Sequence, residues 1–121
     1  MIGYTTVGTN DLPKAKAFYA AVLAPLGGKS VMSMDRMELY GAGPGPMVGV
    51  CTPYDGGKAV PGNGAMVALA APSREVVDQV HALALANGGT CDGPPGLRGD
   101  AFYGAYFRDL DGNKVCAFKM G

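Results

Sequence analysis

A chain of 121 residues, 48% hydrophobic and 17% charged, has the length and composition of one compact folded unit, which excludes an intrinsically disordered chain. Ten basic and ten acidic residues are scattered along it and cancel, so nucleic acid and anionic membrane surfaces are not expected partners. No apolar run is long enough to span a bilayer, and Met1-Ile2-Gly3-Tyr4-Thr5-Thr6 lacks the basic start and apolar stretch of a secretory signal, so the expected compartment is the cytoplasm.

Ile2 to Thr6 is rich in β-branched and aromatic residues and reads as a strand. Asp11 follows as a helix N-cap with Pro13 in the first turn, and Ala15, Phe18, Tyr19, Val22, Leu23 and Leu26 recur at helical spacing before Gly27-Gly28 ends the run. Three short strands are expected at Ser30 to Met34, Met37 to Tyr40 and Met47 to Thr52, separated by turn-forming residues. Pro53 to Asn63, with two prolines and three glycines, should be a surface connection. Met66 to Ala71 is then an apolar strand, and Ser73 caps a second helix whose buried face is expected to carry Val76, Val80, Leu83, Ala84 and Asn87. Thr90 to Gly99, containing Pro94-Pro95-Gly96, reads as a loop. The aromatic segment Phe102 to Arg108, the turn Asp109-Leu110-Asp111-Gly112-Asn113 and Lys114 to Lys119 form a closing hairpin.

The order strand, helix, Gly-Gly occurs twice, and Gly3 to Gly27 and Gly64 to Gly88 both span 24 positions, which marks a repeated supersecondary unit. One domain, 1–121, should therefore hold a βαβββ module at 1–52, a linker at 53–63 and a βαβββ-like module at 64–121. The implied class is α+β, with curved, mainly antiparallel sheets around a cup and helices on the outer face.

The stretches Gly3-Tyr4-Thr5-Thr6-Val7-Gly8-Thr9-Asn10-Asp11-Leu12, Ala15-Lys16-Ala17-Phe18-Tyr19, Ala70-Ala71-Pro72-Ser73-Arg74 and Arg108-Asp109-Leu110-Asp111-Gly112-Asn113-Lys114 together resemble the vicinal oxygen chelate superfamily, the glyoxalase/bleomycin-resistance/dioxygenase fold, over nearly the full length. The last is the most specific. In metal-dependent relatives a divalent ion is held in the cup by His, Gln or Glu side chains. The resemblance puts those four positions at Tyr4, Gly49, Met66 and Cys116. Glycine has no donor, methionine offers a soft thioether, and tyrosine would have to lose a proton held near pKa ~10. No metal or other cofactor is therefore expected. His81, the one histidine, should sit on the flank of the second helix and point away from the cup.

Strand alternation would line the cup with Tyr4, Tyr40, Met47, Met66, Tyr103, Tyr106 and Cys116, a soft apolar surface suited to a small organic ligand. Arg98 and Asp100 stand at the rim, where Arg98 would hold an anionic group or pair with Asp100. Alternation sets Lys114 on the same face as Cys116, but an inert, buried cysteine is favoured over a nucleophile. Cys51, Cys91 and Cys116 form no CxxC pair and are expected to be reduced. The expected function is binding of a small organic molecule without the usual metal, by a homodimer of the bleomycin-resistance type. The neutral charge argues against a cationic drug as that ligand. Two other readings remain: a glyoxalase- or dioxygenase-like lyase or oxidoreductase using a divalent metal on displaced ligands such as Asp100, Tyr4 or Cys116, and a structural or regulatory homodimer with no ligand.

Overall fold

The computed structural model describes all 121 residues. Strand β1 (Tyr4–Gly8) leads into helix α1 (Leu12–Leu23), a 3₁₀ turn (Ala24–Leu26) and strands β2 (Lys29–Ser33), β3 (Met37–Gly41) and β4 (Met47–Cys51). Strand β5 (Val67–Ala70), helix α2 (Arg74–Ala86) and strands β6 (Thr90–Arg98), β7 (Phe102–Arg108) and β8 (Lys114–Met120) repeat the plan. Both helices start at their expected caps. The Asp11 carboxylate accepts from Lys14 N at 3.1 Å, and Ser73 Oγ accepts from Val76 N at 3.2 Å, each meeting an N–H that has no partner within its helix.

Two separate four-stranded sheets result, in the orders β1-β4-β3-β2 and β5-β8-β7-β6. The first and fourth strands of each module pair in parallel, β1 with β4 and β5 with β8, and all other pairs are antiparallel. Each helix is thus a crossover that carries its module from one strand toward the rest of the sheet, covering one face. Phe18, Tyr19 and Val22 of α1, Val77, Val80 and Ala84 of α2, Tyr40 and Val50 of the first sheet, and Ala105, Phe107 and Val115 of the second belong to one continuous core. The other face of each sheet carries no helix.

Three expectations are corrected. Thr90 to Gly99 is not a loop: Thr90–Arg98 is strand β6, paired with β7 with register shifts between Cys91 and Gly93 and between Gly93 and Gly96. Pro94 and Pro95 are tolerated because β6 is a sheet edge, with a neighbour on one side only, and its bulges absorb the missing donors. The buried face of α2 runs through Val77, Val80, His81 and Ala84, rotated from the expected stripe. His81 is consequently interior, 6% exposed, against β6 rather than on the helix flank, and it stays off the helix-free faces. The connection between the modules has no helix or strand, yet it is pinned: Asn10 accepts from Ala59 N at 2.7 Å and donates to Ala59 O at 3.0 Å, and Ala59 is buried.

Candidate functional site

Strand register decides which side chains meet on the helix-free faces. In the first sheet Tyr4 pairs with Met47, Thr6 with Gly49, and Gly49 with Leu39, so these residues share one face, while Val7, Val50 and Tyr40 share the other with α1. In the second sheet Gly104 pairs with Phe118 and Tyr106 with Cys116 on the helix-free face, whereas Ala105, Phe107, Val115 and Ala117 face the core. Tyr4, Met47, Tyr106 and Cys116 therefore lie on the expected faces. Met66, just ahead of β5, is 47% exposed beside the cleft between the modules.

Tyr40 and Tyr103 do not join them. The Tyr40 hydroxyl donates to the Lys16 carbonyl at 3.0 Å beneath α1, and burial, with the nearby Glu38 charge, pushes its pKa up to about 12. Its ring still borders the cleft from the helix side. Tyr103 turns to α2, donating to Asp78 Oδ1 at 2.7 Å with the Arg74 guanidinium 5.1 Å from its ring centre, and the Asp78 bond raises its pKa. Alternation fixes only that neighbouring residues point oppositely. Tyr103 and Tyr106 are three residues apart on β7, so alternation puts them on opposite faces and only one could line the cup; which one, and which face of β3 carries Tyr40, is set by the side the helix covers.

Two surfaces remain as candidate sites. The first is an apolar cleft of about 530 Å³ where β1 and the end of α1 approach β5, bordered by Thr5, Leu23, Leu26, Met47, Met66 and Leu69. The second is the helix-free face of the second sheet, around Tyr106. The Arg98 Cζ stands 5.4 Å and the Lys114 Nζ 5.3 Å from the Tyr106 ring centre. Arg98 does not pair with Asp100. It folds back along β6, donating from Nη1 to Gly96 O at 2.9 Å and from Nη2 to Pro94 O at 2.7 Å. Beyond Gly104 the rings of Phe102 and Phe118 stack with centres 5.3 Å apart and planes 9° from parallel. Neither phenylalanine was singled out from sequence, because without β6 as a strand nothing tied Arg98 to Phe102, its partner in register.

Cys116 lies fully buried under this face, and burial raises its thiol pKa against the opposing influence of Tyr106, Arg98 and Lys114. The thiol is thereby kept protonated and unreactive near neutral pH. A different cysteine makes the only Cys–His contact: His81 Nε2 is 3.3 Å from Cys91 Sγ. Burial lowers the His81 pKa, partly offset by a hydrogen bond to the Tyr106 backbone.

The four positions at which metal-dependent relatives would hold an ion do not fit one. Tyr4 and Met66 are exposed, and Cys116 is a buried thiol whose ionisation is disfavoured. At Gly49 even a Cβ would lie 2.9 Å from Leu39 Cδ2, 3.2 Å from Thr6 Cγ2 and 3.4 Å from Met37 Sδ, so the space a ligating side chain would need is filled by neighbours. Nowhere do three or more His, Cys, Asp or Glu side chains gather in a metal-binding group.

Paired βαβββ modules, each with a parallel first and fourth strand and a helix-free face, define a two-module α+β protein of the glyoxalase-fold class. The sequence profile of the Glyoxalase/Bleomycin resistance protein/Dioxygenase superfamily matches residues 1–117, and the chain belongs to that family. A glyoxalase/bleomycin resistance protein from Albidiferax ferrireducens T118 is similar at 41% identity over 100% of this chain and 99% of that one, with a TM-score of 0.92. A glyoxalase/bleomycin resistance protein/dioxygenase family enzyme from Burkholderia phytofirmans PsJN shares 18% identity over 98% of each chain, with a TM-score of 0.79. Lactoylglutathione lyase from Agrobacterium tumefaciens shares 22% identity over 98% of this chain and 92% of its own, with a TM-score of 0.72. The last two likenesses are of fold. No protein with a curated description matches significantly.

Proposed function

We propose that this chain binds a small organic molecule on its helix-free sheet faces and the adjoining cleft, as a homodimer and without a hard divalent cation. The observation that carries this reading is the packing at Gly49, where Leu39, Thr6 and Met37 occupy the room a ligating side chain would take. Methionine, tyrosine and phenylalanine surfaces favour planar or aliphatic organic ligands through dispersion contacts, with Tyr106 available to orient a polar atom.

A second copy is the natural cover for the exposed apolar residues. Tyr4, Met32, Met66 and Met120 are between 47% and 56% exposed. All are on helix-free faces or at the cleft. Leaving them in water forfeits hydrophobic free energy that association would recover. The three cysteines are unpaired, which accords with a reducing compartment, and the cytoplasm is the proposed location. No helix is long and apolar enough to cross a membrane.

The test is elemental analysis of protein purified without chelators, alongside sedimentation velocity at micromolar concentration. Far less than one equivalent of zinc, nickel, iron or manganese and a dimeric sedimentation coefficient are expected. Near-stoichiometric metal would instead overturn the metal-free reading, and a monomer would remove the homodimer.

A further inference from the structure

We propose that Arg98 and Lys114, with the Tyr106 hydroxyl between their strands, anchor the carboxylate of an organic acid whose apolar body lies on the Phe102–Phe118 stack. The inference rests on the ligand-binding reading above and adds the chemical class of the ligand.

Charge balance is the first argument. Around Tyr106 the same sheet face presents Arg98, Lys114 and Arg108 against one ion-paired carboxylate, Asp92, which lies 3.0 Å from Arg108 Nε and 3.6 Å from Lys114 Nζ. Arg98 has no carboxylate within 4.0 Å. A chain with zero formal net charge therefore concentrates an unmatched positive charge at this face. Contact with an aromatic face offsets only part of a cation's lost hydration and leaves its charge available to an anion.

The second argument is that Arg98 is held in place. Its guanidinium is fixed by the carbonyls of Pro94 and Gly96 and keeps Nε–H and one N–H on each terminal nitrogen for another acceptor. Two glycines make this conformation possible. A Cβ at Gly93 would lie 3.0 Å from Tyr106 Cδ2 and 3.2 Å from Arg98 Nη2, and one at Gly96 would lie 3.2 Å from Arg98 Nη1. The strand thus gives up side chains at the positions where the arginine lies. A guanidinium held this way loses less side-chain entropy when it takes a planar carboxylate in a paired hydrogen bond.

Shape supplies the third. Tyr106 pairs with Cys116, and Gly104, two residues back on the same face, pairs with Phe118. That step along a strand is roughly 7 Å, close to the reach from a carboxylate to the far edge of an attached ring. The Phe102 ring lies over Gly104, where a Cβ would come within 3.2 Å of its Cδ1, so the aromatic stack begins directly beside Tyr106 and the cations around it. An aryl or arylalkyl carboxylic acid fits this sequence of cation, phenol and aromatic surface.

The test is a heteronuclear NMR titration of the full chain at low ionic strength with phenylacetate, and in parallel with phenylacetamide, its uncharged isostere. Phenylacetate should give saturable shifts in β6, β7 and β8 and bind about tenfold or more tightly than the amide. Arg98→Gln should weaken phenylacetate by roughly tenfold and Lys114→Gln by a smaller factor, both with amide binding unchanged. Arg98 is exposed, so its variant is expected to fold, and the second variant tests the site independently. Equal affinity for acid and amide overturns the carboxylate anchor and leaves the ligand-binding reading intact. The same division follows if shifts are confined to the β1–β5 cleft and both variants bind as the parent does. Absence of saturable binding by either probe overturns the aryl carboxylate assignment.

Discussion

Tyr19 on α1 donates its hydroxyl to Asp109 Oδ2 at 2.5 Å, a buried hydrogen bond that joins the first module's helix to the turn between β7 and β8 of the second. Burial first, and then the Asp109 charge and hydrogen bond, raise the Tyr19 pKa and keep the phenol a donor. The carboxylate is used fully: Oδ1 accepts from the backbone N–H groups of Asp111 and Asn113, each at 2.9 Å, and Oδ2 also accepts from Asn113 Nδ2 at 2.9 Å. Asn113 Nδ2 reaches the Gly8 carbonyl at 2.8 Å, and Asp111 Oδ1 accepts from Asn10 N at 2.9 Å. The Arg-Asp-x-Asp-Gly-Asn turn is therefore a clasp between modules, which accounts physically for a motif otherwise recognised only by resemblance.

Tyr19→Phe removes one donor from this buried carboxylate and should cost about 1.5–3 kcal/mol, the range for hydrogen bonds to charged groups. Chemical denaturation monitored by circular dichroism reads this directly. The slope with denaturant should stay unchanged, since the same surface is exposed on unfolding. A loss below about 0.5 kcal/mol would show that the clasp adds little beyond its neighbours.

Glu38 predicts the response to acid. Ser30 and Ser33 Oγ donate to its carboxylate, the latter at 2.6 Å, and these bonds lower its pKa, with the Lys16 ammonium 3.5 Å away helping further. A carboxyl whose folded pKa is depressed contributes stability above its unfolded value of about 4.3, and that contribution is lost as pH falls through the folded value. Glu38→Gln should lower the melting temperature at pH 7. It should also flatten the decline of melting temperature between about pH 5 and pH 3. Parallel curves for parent and variant over that window would remove Glu38 as a contributor.

The thiols should separate kinetically. Cys91 is exposed, touched by His81 Nε2 and by Gly93 N at 3.4 Å, whereas Cys116 is fully buried with a raised pKa. An aromatic disulfide reagent at pH 8 should therefore react with Cys91 first, and with Cys116 only at the rate of unfolding or local opening. Cys91→Ser should remove the fastest phase and leave the slower reaction of half-buried Cys51, and Cys116→Ser should leave the fastest phase intact. A fast phase that survives in Cys91→Ser and disappears in Cys116→Ser would reverse the assignment.

The sequence by itself determined the repeated strand-helix unit, both helix caps, the closing hairpin and the family, because each is written in local spacing or in contiguous motifs. Asp11 and Ser73 each cap the N–H three residues on, so their chemistry can be read without knowing the fold. The tertiary structure alone decided that Tyr40, and Tyr103 rather than Tyr106, turn to the helices, that His81 is buried against β6, and that a Pro-Pro segment is an edge strand carrying Arg98 to Tyr106. Those outcomes depend on which strand lies beside which and on the face each helix covers. Side-chain alternation repeats every two residues whichever face is inward, so it carries no record of that choice.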